Sequence, residues 1–173
     1  MTRAIISFDT ELSAGLHRRG VGAHANFESS ILGRCPEGDF GIHFQMDILE
    51  RHGLTGVFFV DPMPALVYGP EIVEAIVRPI VRRRHEVQLH LHTEWLEFAR
   101  FNPAGRLTGR NIADFPLSAQ KRIIMLARDI LVGAGAPRPV AFRAGNFGAN
   151  DDTLKALASL DFRFDSSFNS AWV

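Results

Sequence analysis

The residue pattern predicts an α/β chain built on a parallel sheet or barrel, and three observations carry that expectation. Short apolar runs alternate with longer segments of helical period five times along the chain. Polar residues able to do chemistry stand at the C-terminal ends of four of those runs. Apolar residues make up 46% of the 173 positions and charged ones 22%, the balance of a chain that buries a core rather than one that stays disordered.

The elements follow in order. Ala4-Ile5-Ile6-Ser7-Phe8 reads as a buried strand, and the N-terminus as a whole, Met1 to Ser7, reads as strand rather than signal peptide. It has one basic residue and too short an apolar stretch, so a cytoplasmic location is expected. A helix over 40–52 is drawn from the spacing of Phe40, Phe44, Ile48 and Leu49, with Gly53 as its stop. Residues 55–60 form a second strand, closed by Asp61-Pro62. A helix over 71–83 carries Ile72, Ile76 and Ile80 on one side, and Pro79 inside it predicts a kink or an early end. Residues 86–91 form a third strand in which apolar and polar positions alternate. The helix over 117–132 has Ser118 as N-cap and Gly133 as stop. A strand over 140–143, a helix capped by Asn150-Asp151-Asp152 and running to about Leu160, and a strand over 162–165 complete the series.

Two connections, 12–39 and 93–116, are long and read as loops, a length usual for functional segments. Ser170-Ala171-Trp172-Val173 follows the last strand directly. Five units fall short of the ~8 of a standard closed barrel. The expectation is an N-terminal portion of a longer domain or an open sheet.

Composition excludes several classes. Nineteen basic residues balance nineteen acidic ones, so there is no overall positive field to hold a polyphosphate backbone, and nucleic acid is not expected as the main partner. Cys35 is the single cysteine, which rules out an internal disulfide and a multi-thiolate zinc site. No apolar run approaches the ~20 residues that span a bilayer. All seven histidines lie at or before His92.

The strand ends hold the candidate chemistry: Ser7-Phe8-Asp9-Thr10-Glu11, His90-Leu91-His92-Thr93-Glu94, Phe142-Arg143-Ala144-Gly145-Asn146 and Asp165-Ser166-Ser167. In an extended chain, residues two apart share a face. Asp9 with Glu11, and His90 with His92, can therefore each converge, and parallel strands place all four segments on one rim. Two imidazoles with two or three carboxylates suit a divalent ion, zinc among others.

Other signals carry less. His85-Glu86 through His90 is close to the zincin His-Glu-x-x-His, but its second histidine comes one position late. Residues 133–138 form a turn, Arg82-Arg83-Arg84 complements a helix C-terminus, and Asp151-Asp152 is helix capping. Trp95, Phe98, Phe101 and Phe115 are either a satellite core or a platform for sugar faces. His17, Arg18, Arg19 and His24 either contact substrate or are solvated.

The strand-end series resembles the polysaccharide deacetylase (NodB-homology) family of carbohydrate esterases, over nearly the whole chain and in the family's order. Ser7-Phe8-Asp9-Thr10-Glu11 stands where the family has Thr-Phe-Asp-Asp-Gly. Residues 86–90 stand where it has the stretch leading into His-x-x-x-His, Phe142-Arg143-Ala144-Gly145 resembles Arg-x-Pro-x-Gly, and the Asp165 segment resembles its fourth motif. The resemblance implies a deformed (β/α)7 barrel over residues 1–173, incomplete at its C-terminal end. It also implies metal-dependent removal of an N- or O-acyl group from a carbohydrate substrate.

Carried over, Glu11, His90 and His92 (or Glu94) hold the metal, with zinc as the expected ion. Asp9 matches the family's base, and Arg143 pairs with it. Thr10 replaces the family's second Asp, Glu94 falls where its second His stands, and Asp9 and Glu11 are close enough to exchange roles. The family's late Leu-x-His, which supplies the general acid, has no counterpart here. A small-amide (allantoinase-like) hydrolase and a non-catalytic carbohydrate-binding relative are the alternative readings.

Overall fold

The computed structural model describes residues 4–170. The N-terminal expectation over Met1 to Arg3, and the last residues from Ala171 to Val173, lie outside them.

Strand β1 (Ser7–Thr10) is followed by two short helices, α1 (Ala14–Arg18) and α2 (Ala23–Ser30), and a small hairpin of β2 (Arg34–Cys35) and β3 (Gly38–Asp39). Then come α3 (Ile42–Arg51), β4 (Val57–Val60), α4 (Ala65–Tyr68), α5 (Glu71–Arg82) and β5 (Glu86–Leu91). After two 3₁₀ turns, Thr93–Glu97 and Ile112–Asp114, the chain continues through α6 (Leu117–Gly133), β6 (Ala141–Ala144), α7 (Asp151–Ser159) and β7 (Phe164–Asp165).

The principal sheet has the order β1-β4-β5-β6-β7, every neighbour parallel. Sequential parallel strands joined through helices are the arrangement of an α/β barrel wall. The described residues form an open five-stranded sheet rather than a closed barrel.

One face carries Phe58, Val60, Val87, Leu89, Leu91 and Phe142, all buried in a core shared with α3, α5, α6 and α7. The other face carries Ser7, Asp9, Phe59, Gln88 and Arg143. Gln88 is buried there, and its side-chain oxygen accepts from Val140 N and Ala141 N at 2.9 Å, pinning the start of β6. Gln88 and His90 of β5 are thus buried like the apolar residues beside them, while Glu86 at its start is exposed.

Several boundaries depart from expectation for local reasons. β1 begins at Ser7 rather than Ala4, and Ile5 is exposed with no pairing partner in the sheet. β4 begins at Val57 and β7 at Phe164, each later than read from sequence. In α3 the buried side is Ile42, Met46 and Leu49, while Phe40 and Phe44 pack on each other in solvent. Gly53 does stop that helix, with φ +65°.

Helix α5 runs three residues past Pro79, because in the last turn the missing N–H forfeits a single helical bond. Helix α6 is entered from Pro116, not capped by Ser118, and its left-handed stop is Gly135 (φ +99°) rather than Gly133. Arg83 clamps α3 by hydrogen bonds to Asp47 (2.6 Å) and Glu50 (2.7 Å) instead of serving its own helix end. Asn150 caps α7, accepting from Thr153 N, with Asp151 and Asp152 in the first turn.

Candidate metal centre

The C-terminal ends of β1 and β5 bring three ligand-type side chains together. Glu11 Oε2 lies 2.7 Å from His90 Nε2 and 2.8 Å from His92 Nε2. Ligand atoms of the three residues all fall within 4.8 Å of one another. The imidazole rings stand nearly perpendicular, at 85°, so both Nε2 atoms converge on the same carboxylate oxygen.

The second ring nitrogens decide what that oxygen meets. His90 Nδ1 is 2.8 Å from the carbonyl oxygen of Arg143, which can only accept, so Nδ1 carries the hydrogen. His92 Nδ1 is 3.0 Å from Glu94 Oε2 and donates in the same way. A neutral ring so fixed presents a bare Nε2. Two bare nitrogens facing one carboxylate oxygen repel unless a cation lies among them. The donor set, two imidazoles and a carboxylate with outer hydrogen bonds in place, fits a divalent metal.

Without a metal, a proton meets the same need. Burial works against a charged His92, but its hydrogen bonds to Glu11 and Glu94 and the nearby charge of Asp61 raise its pKa to about 10. Burial likewise opposes ionised Glu11, yet the hydrogen bonds and charges of His90 and His92 hold its carboxyl far below the usual range.

Asp9 lies beside this set rather than in it. Arg143 Nη1 donates to Asp9 Oδ1, and Nη2 donates to Ser7 Oγ and Ser166 Oγ, both at 2.9 Å. The guanidinium stacks on the Phe59 ring, 4.0 Å from its centroid, so its plane is fixed from below. Glu94 acts on His92 from behind, on the ring nitrogen away from Glu11. Asp165 is not in the ligand group: it accepts from Ser167 Oγ at 2.6 Å, and Ser167 Oγ accepts from Ala144 N.

Gly145 is required by packing. A Cβ there would sit 2.7 Å from His92 Nδ1 and 2.8 Å from the neighbouring ring carbons.

The loop that delivers Glu11 is anchored by Asn26, which is fully buried in α2. Asn26 Oδ1 accepts from Ser13 N at 3.0 Å, and its Nδ2 donates to Ser13 O at 2.9 Å. Above the ligand set a hollow of about 440 Å³ opens, lined by Asp9, Glu11, Ser13, Gly15, His92 and Glu94.

Other expected residues fall elsewhere. His85 is structural, accepting from Gly56 N, which disposes of the zincin-like spacing. Trp95 and Phe115 are core, Phe98 packs against that core, and Phe101 is exposed. His17 bonds Tyr68 Oη at 2.8 Å, Arg18 pairs with Glu97, and Arg19 and His24 are exposed. Asp61, at the end of β4, belongs to the neighbourhood of the site, though from sequence it reads as a strand-closing turn residue. Its signal was available: a carboxylate directly after the apolar run Val57–Val60.

Comparison with known proteins bears on the fold. No family profile matches the chain, and no curated protein matches it. Solved structures do. A candidate polysaccharide deacetylase from Mycobacterium smegmatis superposes with a TM-score of 0.63 at 19% identity, over 95% of this chain and 50% of that one. A family 4 carbohydrate esterase from Streptomyces lividans, solved with acetate, gives 0.51 at 16% identity over 92% of this chain and 59% of that one. The chitin deacetylase of the fungus Colletotrichum lindemuthianum gives 0.50 at 11% identity over 94% and 54%. The chain has the fold of the polysaccharide deacetylases and spans about half the length of the solved structures it matches.

No helix among the described residues is long and apolar enough to cross a membrane.

Proposed function

We propose that this chain carries the catalytic rim of a metal-dependent hydrolase that removes N- or O-acetyl groups from a sugar or polysaccharide. The observation that carries the reading is the meeting of His90 and His92 on one oxygen of Glu11, beside a carboxylate held by Arg143. The likeness in fold to deacetylases supports it. Zinc is the ion we assign, from the two-imidazole, one-carboxylate donor set.

Glu11, His90 and His92 would hold the ion, and a bound divalent ion supplies an activated water and polarises the acyl carbonyl. Asp9 faces the same hollow and takes the proton from the attacking water. Arg143 keeps the Asp9 carboxylate in one orientation, its guanidinium locked by Ser7, Ser166 and Phe59. Glu94 and the carbonyl of Arg143 keep the two imidazoles turned toward Glu11. No histidine follows His92, so the later half of the chain supplies no imidazole to protonate the leaving group.

The test is acetate release from acetylated chito-oligosaccharides and acetylated xylan by the intact protein, before and after chelation and zinc return. The reading expects release that disappears with the metal and comes back with zinc. Turnover of small ureides instead would favour the small-amide hydrolase, and sugar binding without turnover would favour a non-catalytic relative.

A further inference from the structure

Asp61 is fully buried, and its two oxygens are unequal. Oδ1 accepts from Met63 N at 3.0 Å, while Oδ2 has no partner. A buried carboxylate oxygen left without a donor is destabilising by itself, so its retention calls for a reason.

Its place in the sheet supplies one. Asp61 N donates to Thr10 O at 3.0 Å, directly beside Glu11. The registers Thr10↔Val60 and Val60↔Leu89, advanced by one residue, set Asp61 between Glu11 on β1's end and His90 on β5. Its charge is felt by His92, His90 and Glu11 alike.

We propose that Asp61 is a positioning residue of the metal centre, present to balance the charge of a bound divalent cation. The inference rests on the metal reading above. Two neutral imidazoles and one carboxylate leave one positive charge uncompensated when a divalent ion is bound in buried surroundings. Asp61 supplies the second negative charge from behind, and the cation in turn offsets the unfavourable burial of Asp61. Asp61 is outside the group of ligand atoms that lie within 4.8 Å of one another, so it acts through the field and not as a ligand.

The experiment compares zinc affinity, by chelator competition, and metal-free thermal stability in the intact protein for wild type and Asp61→Asn. The amide keeps an acceptor for Met63 N and removes the charge. Asp61→Ser, a second charge-free variant, covers the case in which the amide fails to fold. The expected result is a zinc Kd weakened about 10–100-fold, with little change in the metal-free melting temperature, because Glu11 and Glu94 still hold the His92 ring while a buried charge is removed. A merely structural Asp61 would lower that melting temperature and leave the Kd unchanged, which would overturn the proposal. Wild type that binds no zinc would overturn this proposal together with the metal reading. Tight wild-type binding with an unchanged Asp61→Asn Kd would overturn the role of Asp61 alone.

Discussion

The carbonyl oxygen of Arg143 accepts a hydrogen bond from Nδ1 of His90 at 2.8 Å, while the guanidinium of the same residue grips Asp9. One residue of β6 therefore orients a candidate metal ligand with its backbone and a candidate base with its side chain. The two functions are separable by mutation.

Replacing Arg143 with Lys keeps the backbone carbonyl but loses the planar fork that reaches Asp9, Ser7 and Ser166 together. Zinc content should stay at the wild-type level while kcat falls. Asp9→Asn should do the same more severely, by roughly 10²–10⁴-fold in kcat. Metal analysis beside steady-state kinetics checks both, and loss of zinc in either variant would contradict the division of roles.

Gly145→Ala presses a methyl group into the His92 ring. The ring must turn away from Glu11, so zinc affinity should fall about 10–100-fold, as for other groups that orient a ligand. Far-UV circular dichroism should be unchanged. An unaltered Kd would mean that the ring has room to shift without leaving the ligand set.

The metal-free protein should lose stability in alkali. The His92 pKa is raised from 6.5 to about 10 by folding. The stabilisation is therefore whole below the unfolded value and is lost as pH rises through the folded one. Melting temperature of the metal-free protein should fall between pH 7 and 10.5. Zinc binding at pH 7 must expel that proton, releasing about one proton per ion in a weakly buffered titration.

Trp95 follows the ligand segment within the 3₁₀ turn Thr93–Glu97 and is fully buried against His17, Tyr68 and Phe98. Trp95→Ala should destabilise the fold by about 3–5 kcal/mol, read by denaturant unfolding.

Sequence pattern located β5 and the helices α5, α6 and α7 because each has a clear apolar period, alternating in the strand and helical in the helices. It missed α1 and α2 for the opposite reason: the fully buried residue of α2 is Asn26, held by hydrogen bonds to Ser13 and Ser30. A helix fastened by a polar side chain leaves no apolar period to read. Asp9, Glu11, His90, His92 and Arg143 were visible because strand ends of a parallel sheet share a rim. Asp61 stands at a strand end too, but an Asp before Pro after a strand also has the composition of a turn and reads as one. The resemblance offered Glu94 as an alternative ligand, at the place of the family's second His, whereas the structure sets it on the far nitrogen of His92.

The central claim is that Glu11, His90 and His92 share one cation. Anomalous diffraction at the zinc edge, from zinc-loaded crystals of the intact protein, tests it most directly. The account predicts one strong peak at ~2.0–2.2 Å from both Nε2 atoms and from a Glu11 carboxylate oxygen. No peak there, or zinc bound only at other side chains, would contradict it.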